Sequence, residues 1–128
     1  MPIIRYAEAE VDRSDPGVAA RRLVNKYMGS KSFTAGISTF EPGSGIFMHT
    51  HPCEEIVVIL DGEAVGEVDG KLTKVGMYDI SFVPPGVPHR FLNKSDAPFT
   101  MMYIYPTAEV TRDPVDRADA PTGGTEHR

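Results

Sequence analysis

The chain has 128 residues, a net charge of −5, 41% hydrophobic and 24% charged residues, which bounds it to one ordinary globular domain with a real core. Its acidic balance argues against a nucleic-acid partner, because phosphates call for basic groups. Its longest aliphatic run, Ile56–Leu60, is far too short to span a bilayer. The N-terminus shows no secretory signal and the single cysteine, Cys53, excludes an internal disulfide, so the expectation is a cytoplasmic chain.

In chain order, Ile3–Tyr6 reads as a short strand, followed by the polar turn Asp12–Gly17. Val18–Tyr27 fits two states: Ala19-Ala20 favours helix, whereas Leu23-Val24 beside a turn at Gly29-Ser30 allows an edge strand. Arg21 and Arg22 could serve an anionic ligand, but they fit a solvated face or a subunit contact better. From Ser32 the pattern is β throughout. Ser32–Phe40 is rich in Phe, Thr and Ile and ends at the turn Glu41–Gly45. Ile46–His51 predicts a strand bent or edged at Pro52, and Glu55–Leu60 a buried strand closed by Asp61-Gly62. Ala64–Val68 and Lys71–Val75 flank Asp69-Gly70, a strong two-residue hairpin signal. Asp79–Val83 is apolar enough for another buried strand, and His89–Asn93 and Phe99–Tyr105 follow the turn Pro84-Pro85-Gly86. Short strands at this spacing predict an all-β sandwich or barrel.

After Pro106 the composition becomes polar and broken. The expected organisation is an N-terminal strand or arm over 1–31, packing on the barrel or on a dimer partner, a barrel over 32–106, and a polar tail or partner-wrapping arm over 107–128. His127 falls in that tail and is not expected to be a ligand.

His49, His51 and Glu55 lie at offsets of two and four. If the strand holds through Pro52, their side chains share one face of one sheet. His89, a third imidazole of the four in the chain, follows a turn. Three imidazoles and a carboxylate make a plausible site for one divalent transition metal.

These residues also carry a resemblance. Gly43, His49, His51, Glu55 and Gly62 match the first motif of the cupin superfamily at every position, and Pro84, Gly86, His89 and Asn93 match the second. The second motif's leading glycine falls at Tyr78, with Gly76 two residues earlier. The chain therefore resembles a small single-domain cupin, which implies an all-β double-stranded β-helix, or jelly-roll barrel. The resemblance further implies a metal on His49, His51, Glu55 and His89, with Fe preferred and Zn, Mn or Ni as alternatives, and two coordination positions open for substrate and O₂ or water. It implies a small-molecule substrate, a homodimer, and an enzyme of the Fe(II) dioxygenase type. The alternatives are a non-redox lyase, isomerase or polyketide-type cyclase, and a metal-containing binding module without turnover.

Around such a site Phe47, Phe91, Met101, Tyr103 and Tyr105 are pocket candidates, although an aromatic stripe on strands is as often plain core. Cys53 shares parity with His51 and Glu55 and is a further candidate, against the reading of a small buried thiol. Glu54 faces the other way and reads as a surface charge, and Asn93 as a residue that fixes a turn.

Overall fold

Period-two burial builds most of the protein. The computed structural model describes residues 1–115 and the backbone of 125–126. Among these, the strands are β1 (Val11–Asp12), β2 (Val18–Val24), β3 (Thr34–Phe40), β4 (His49–Thr50), β5 (Glu55–Asp61) and β6 (Ala64–Val68). They continue with β7 (Lys71–Val75), β8 (Ile80–Val83), β9 (His89–Leu92), β10 (Phe99–Tyr105), β11 (Thr111–Pro114) and β12 (Thr125–Glu126). Among the described residues, helix is limited to the 3₁₀ turns Tyr6–Glu8 and Lys26–Met28, and none is long and apolar enough to cross a membrane. Two antiparallel sheets face one another, in the orders β1-β2-β3-β10-β5-β8 and β12-β11-β4-β9-β6-β7.

The inward residues of the first sheet are Thr34, Gly36, Ser38 and Phe40 on β3, Phe99, Met101, Tyr103 and Tyr105 on β10, and Glu55, Val57 and Ile59 on β5. Register divides this interior into two ends. Phe99 lies opposite Phe40, and their rings stack with centroids 4.4 Å apart, closing the apolar end with a contact worth about 0.5–1.5 kcal/mol beyond area burial. At the other end Tyr105 lies opposite Thr34, and Glu55 begins β5. Gly36 faces Tyr103 across the β3–β10 pair, and a Cβ there would collide with the phenol oxygen. The missing side chain makes room for the large one.

Turn chemistry follows the sequence at most corners. Asp69 and Gly70 have φ of 52° and 80°, as a primed hairpin turn requires. Tyr78, at the second motif's glycine position, has φ of 70°, so the left-handed geometry is kept by a residue that is strained in it. Asn93 donates to the carbonyls of Phe40 and Ala97 and accepts from Ser95 N–H, each at 2.9 Å, tying two loops together.

Several expectations need correction. Ile3–Tyr6 is not a strand: Tyr6 enters a 3₁₀ turn, its carbonyl accepts from Arg21 Nη1 at 2.8 Å, and its ring lies under that guanidinium. Val18–Tyr27 resolves into a strand followed by a turn capped by the Asn25 side chain. Within 1–31, β1 and β2 join the first sheet, β2 pairing along β3. β8 is not buried. It is the edge of its sheet, with Ile80 64% and Phe82 55% exposed, because no layer among the described residues covers its outer face.

The barrel also extends beyond residue 106. β11 pairs with β4, Asp113 opposite Thr50, and buries Val110 and Arg112. A polar composition misleads here because alternate side chains, not an apolar run, face inward. Residues 116–124 and 127–128, His127 among them, lie outside the described residues.

Candidate metal centre

Only His49 and Thr50 of the expected strand Ile46–His51 form regular ladder. The chain leaves the second sheet at Pro52 and enters the first at Glu55, so the imidazoles and the carboxylate do not share a face of one sheet. They meet because the two sheets face each other. His49 pairs directly with His89 of β9, their ring centroids 4.4 Å apart. The His51 ring lies 4.7 Å from that of His49 and 5.0 Å from that of His89. One ligand atom from each of these three histidines falls within 4.8 Å of the others, so the trio can hold a metal ion.

Backbone carbonyls set the chemistry of the rings. His49 Nδ1 lies 2.7 Å from the Phe47 carbonyl, His51 Nδ1 2.7 Å from that of Thr111, and His89 Nδ1 2.9 Å from that of Val87. A carbonyl only accepts, so each Nδ1 carries a proton and donates; in the neutral ring Nε2 is then the nitrogen with the lone pair. Glu55 Oε1 lies 2.9 Å from His89 Nε2 and 3.5 Å from His51 Nε2. Lone pairs and a carboxylate thus converge, an arrangement that suits a cation among them. Burial lowers the His51 pKa, ahead of the opposing effect of Glu55, and so favours the neutral ring that can act as a ligand.

The two motifs lock this arrangement through main-chain bonds. Gly86 N–H donates to the His51 carbonyl at 2.8 Å, and Gly43 and Asn93 tie the far ends together through Gly43 N–H to the Asn93 carbonyl at 2.9 Å. β11, which sequence reasoning assigns to a tail, supplies the Thr111 carbonyl that orients His51. The one hint was the alternation across Glu109-Val110-Thr111-Arg112, too short to separate from loop.

Beside the trio lies a cavity with about 30 Å³ for the centres of water-sized molecules, room for about two waters. His49, Glu55 and His89 line it, as do four of the aromatic and Met candidates, Phe91, Met101, Tyr103 and Tyr105. Phe47 and Cys53 are not among its lining residues. Phe47 packs edge-on against His49 and under the Arg112 guanidinium, and Cys53 packs against the core from outside. Burial raises the Cys53 pKa, with Glu55 adding to the shift, so the thiol stays protonated. Glu54 is exposed and faces away.

The phenols supply O–H donors to the cavity. Tyr105 O–H lies 3.3 Å from His51 Nε2, and burial first, then the Glu55 charge, raises its pKa well above the usual phenol value. Burial likewise pushes Tyr103 upward. Both are proton donors at neutral pH. Sequence reasoning missed Arg112, Asp15 and Ser38, which line the same cavity from β11, the loop before β2, and β3.

A family model described as cupin domain matches residues 36–105. No curated protein matches the chain. Among solved structures, the polyketide cyclase RemF from Streptomyces resistomycificus is 21% identical over 96% of this chain and 89% of that one, with a TM-score of 0.78. A sugar phosphate isomerase from a cupin superfamily, from Silicibacter pomeroyi, is 21% identical over 99% and 92%, with a TM-score of 0.77. Oxalate decarboxylase from Bacillus subtilis, described with Mn(II) centres, is 25% identical over 81% of this chain and 29% of that one, with a TM-score of 0.71. Likeness at this level of identity establishes fold.

Proposed function

The chain belongs to the cupin domain family, and from that premise we propose a metal-dependent enzyme acting on a small organic molecule, in which buried phenols handle protons. The observation that carries the reading is the meeting of the His49, His51 and His89 ligand atoms, within 4.8 Å of one another, with Glu55, whose Oε1 lies 2.9 Å from His89 Nε2. His49, His51 and His89 through Nε2, with Glu55 through Oε1, would hold one divalent transition ion. Such an ion supplies Lewis-acid polarisation of a substrate oxygen.

The remaining work falls to the chain itself. Tyr103 and Tyr105, protonated and buried, can donate to an oxygen that gains charge. Phe91 and Met101 keep bulk water away from it. This is the chemistry of a non-redox lyase, isomerase or cyclase, and two structural neighbours are a cyclase and an isomerase.

The second reading is a dioxygenase-type oxidoreductase on Fe(II), since Zn has no redox chemistry. It is favoured by the small cavity, whose room for about two waters would suit O₂. The same closeness of side chains favours the third reading, a metal-containing binding module without turnover.

A homodimer belongs to the proposal. Ile56 lies opposite Phe82, and Val58 opposite Ile80, so β5 and β8 present a continuous apolar outer face. The exposed Ile3 and Ile4 add to the surface a second copy would cover. A reducing, cytoplasmic setting is supported by the lone cysteine.

The test is elemental analysis of protein purified without a metal-binding tag, beside His51→Ala, followed by a turnover screen with and without oxygen. Near-stoichiometric metal that is lost in the variant is the expected result. Oxygen-independent turnover that falls in Tyr103→Phe supports the proton-transfer enzyme. Iron with substrate-dependent oxygen consumption moves the reading to the oxygenase. Equal metal in both proteins, or none in either, sinks the centre.

A further inference from the structure

Arg112 is a strange residue to find inside a barrel. It is 5% exposed, it projects from β11 into the wall of the cavity that His49, Glu55 and His89 also line, and Val110 beside it is core. Its guanidinium is held from two sides: Nη1 donates to Asp15 Oδ2 at 2.9 Å, and the plane lies over the Phe47 ring, 4.5 Å from the centroid. Its Nε is buried with no hydrogen-bond partner. A buried charged donor left unmade is expensive, and native proteins rarely keep one without a use.

We propose that Arg112 recognises a carboxylate of the substrate, which accepts from the unpaired Nε of the guanidinium while Asp15 and Phe47 hold the group in place. This inference rests on reading the cavity as the substrate site, and it adds the substrate class: a small carboxylic acid.

Three observations favour a carboxylate over other anions. Arginine presents its N–H groups in a planar fork that matches a carboxylate. The cavity has room for about two waters, which suits a flat group of a few atoms rather than a phosphate. Arg112 is also the one Lys or Arg among the described residues lining the cavity, whereas a phosphate would call for more positive charge. The charges agree as well. With neutral imidazoles, the two positive charges of a divalent ion and the one on Arg112 stand against the carboxylates of Glu55 and Asp15. One positive charge is left for a monocarboxylate to neutralise. Ser38, a buried residue lining the same cavity, offers a hydroxyl as a second donor.

The experiment follows the arginine Nε–Hε signals of the full chain by ¹H–¹⁵N NMR, in metal-free and zinc-loaded protein, while acetate or its uncharged isostere acetamide is added. The Arg112 signal is assigned by its loss in Arg112→Lys, which keeps the charge and removes the fork. Acetate is expected to shift it saturably in the millimolar range, and acetamide at least about tenfold more weakly. Asp15→Asn, which removes the opposing charge but keeps an acceptor for Nη1, is expected to tighten acetate several-fold. An Arg112 signal unmoved by acetate in both forms, or moved equally by acetamide, overturns the inference. Zinc uptake measured by calorimetry keeps the two readings apart. Acetate binding without zinc uptake leaves the carboxylate site standing and removes the metal centre, and zinc uptake without acetate binding does the reverse.

Discussion

His89 Nε2 and Glu55 Oε1 lie 2.9 Å apart, although the His89 ring already directs Nδ1 at the Val87 carbonyl. The two groups are held face to face by opposing sheets. Without a metal ion the contact needs a proton on Nε2 as well as on Nδ1, that is, an imidazolium beside the carboxylate; around a metal ion the neutral ring and the carboxylate could both serve as ligands.

That relationship gives Glu55→Gln effects of opposite sign in the two states. In metal-free protein the glutamine amide can donate to His89 Nε2, so stability should hold or rise by about 1 kcal/mol. Metal affinity should fall by more than the roughly tenfold that losing an outer-shell partner costs. Calorimetry with and without metal, joined to a chelator competition, reads both. A variant that unfolds earlier without metal yet binds it unchanged contradicts the assignment of Glu55.

Gly36→Ala should destabilise the protein by about 1–3 kcal/mol, because a Cβ there meets the Tyr103 hydroxyl and the Arg21 carbonyl, the latter at 2.6 Å. Urea unfolding measures this. Adding Tyr103→Phe should recover part of the loss, since the hydroxyl goes while the ring carbon Cζ, at 2.5 Å, and the Arg21 carbonyl remain. Full additivity of the two substitutions would argue against their contact.

Asn93→Ala removes hydrogen bonds to two carbonyls and one N–H in a buried position. Leaving those main-chain groups unpaired should cost about 2–3 kcal/mol. Thermal melting would show it, and a change within experimental error would mean that water replaces the amide.

Tyr78→Gly should stabilise the protein. The tyrosine is 74% exposed and sits at φ of 70°, so little packing is lost and left-handed strain of about 1–2 kcal/mol is relieved, partly offset by glycine's freedom in the unfolded chain. A net gain of about 0.5–1 kcal/mol is expected for glycine and none for Tyr78→Ala. Denaturation midpoints of the two variants decide it.

Phe82→Lys tests the outer face of β5 and β8. Analytical ultracentrifugation is expected to show a dimer for the parent chain and a monomer for the variant, with secondary structure by circular dichroism unchanged because Phe82 contributes little to this chain's own core. A parent chain that sediments as a monomer removes the dimer from the proposal.

The sequence by itself determined the strands from β3 to β10, through period-two alternation and turn residues such as Asp69-Gly70, and its motif spacing singled out His49, His51, Glu55 and His89. These are local signals, legible because strand geometry and turn chemistry act over a few residues. Tertiary structure alone decided how those four side chains meet. Alternation tells which residues share a face, but not that the chain changes sheets at Pro52 or which sheet lies across the interior. The same limit hid β11: Thr111 and Arg112 matter because Asp113 and Pro114 of the same strand pair with β4, distant in sequence, and no local pattern encodes a partner such as His51, 60 residues from Thr111. It also misjudged β8, because an apolar strand looks alike in sequence whether its outer face is covered by its own chain or left for another surface.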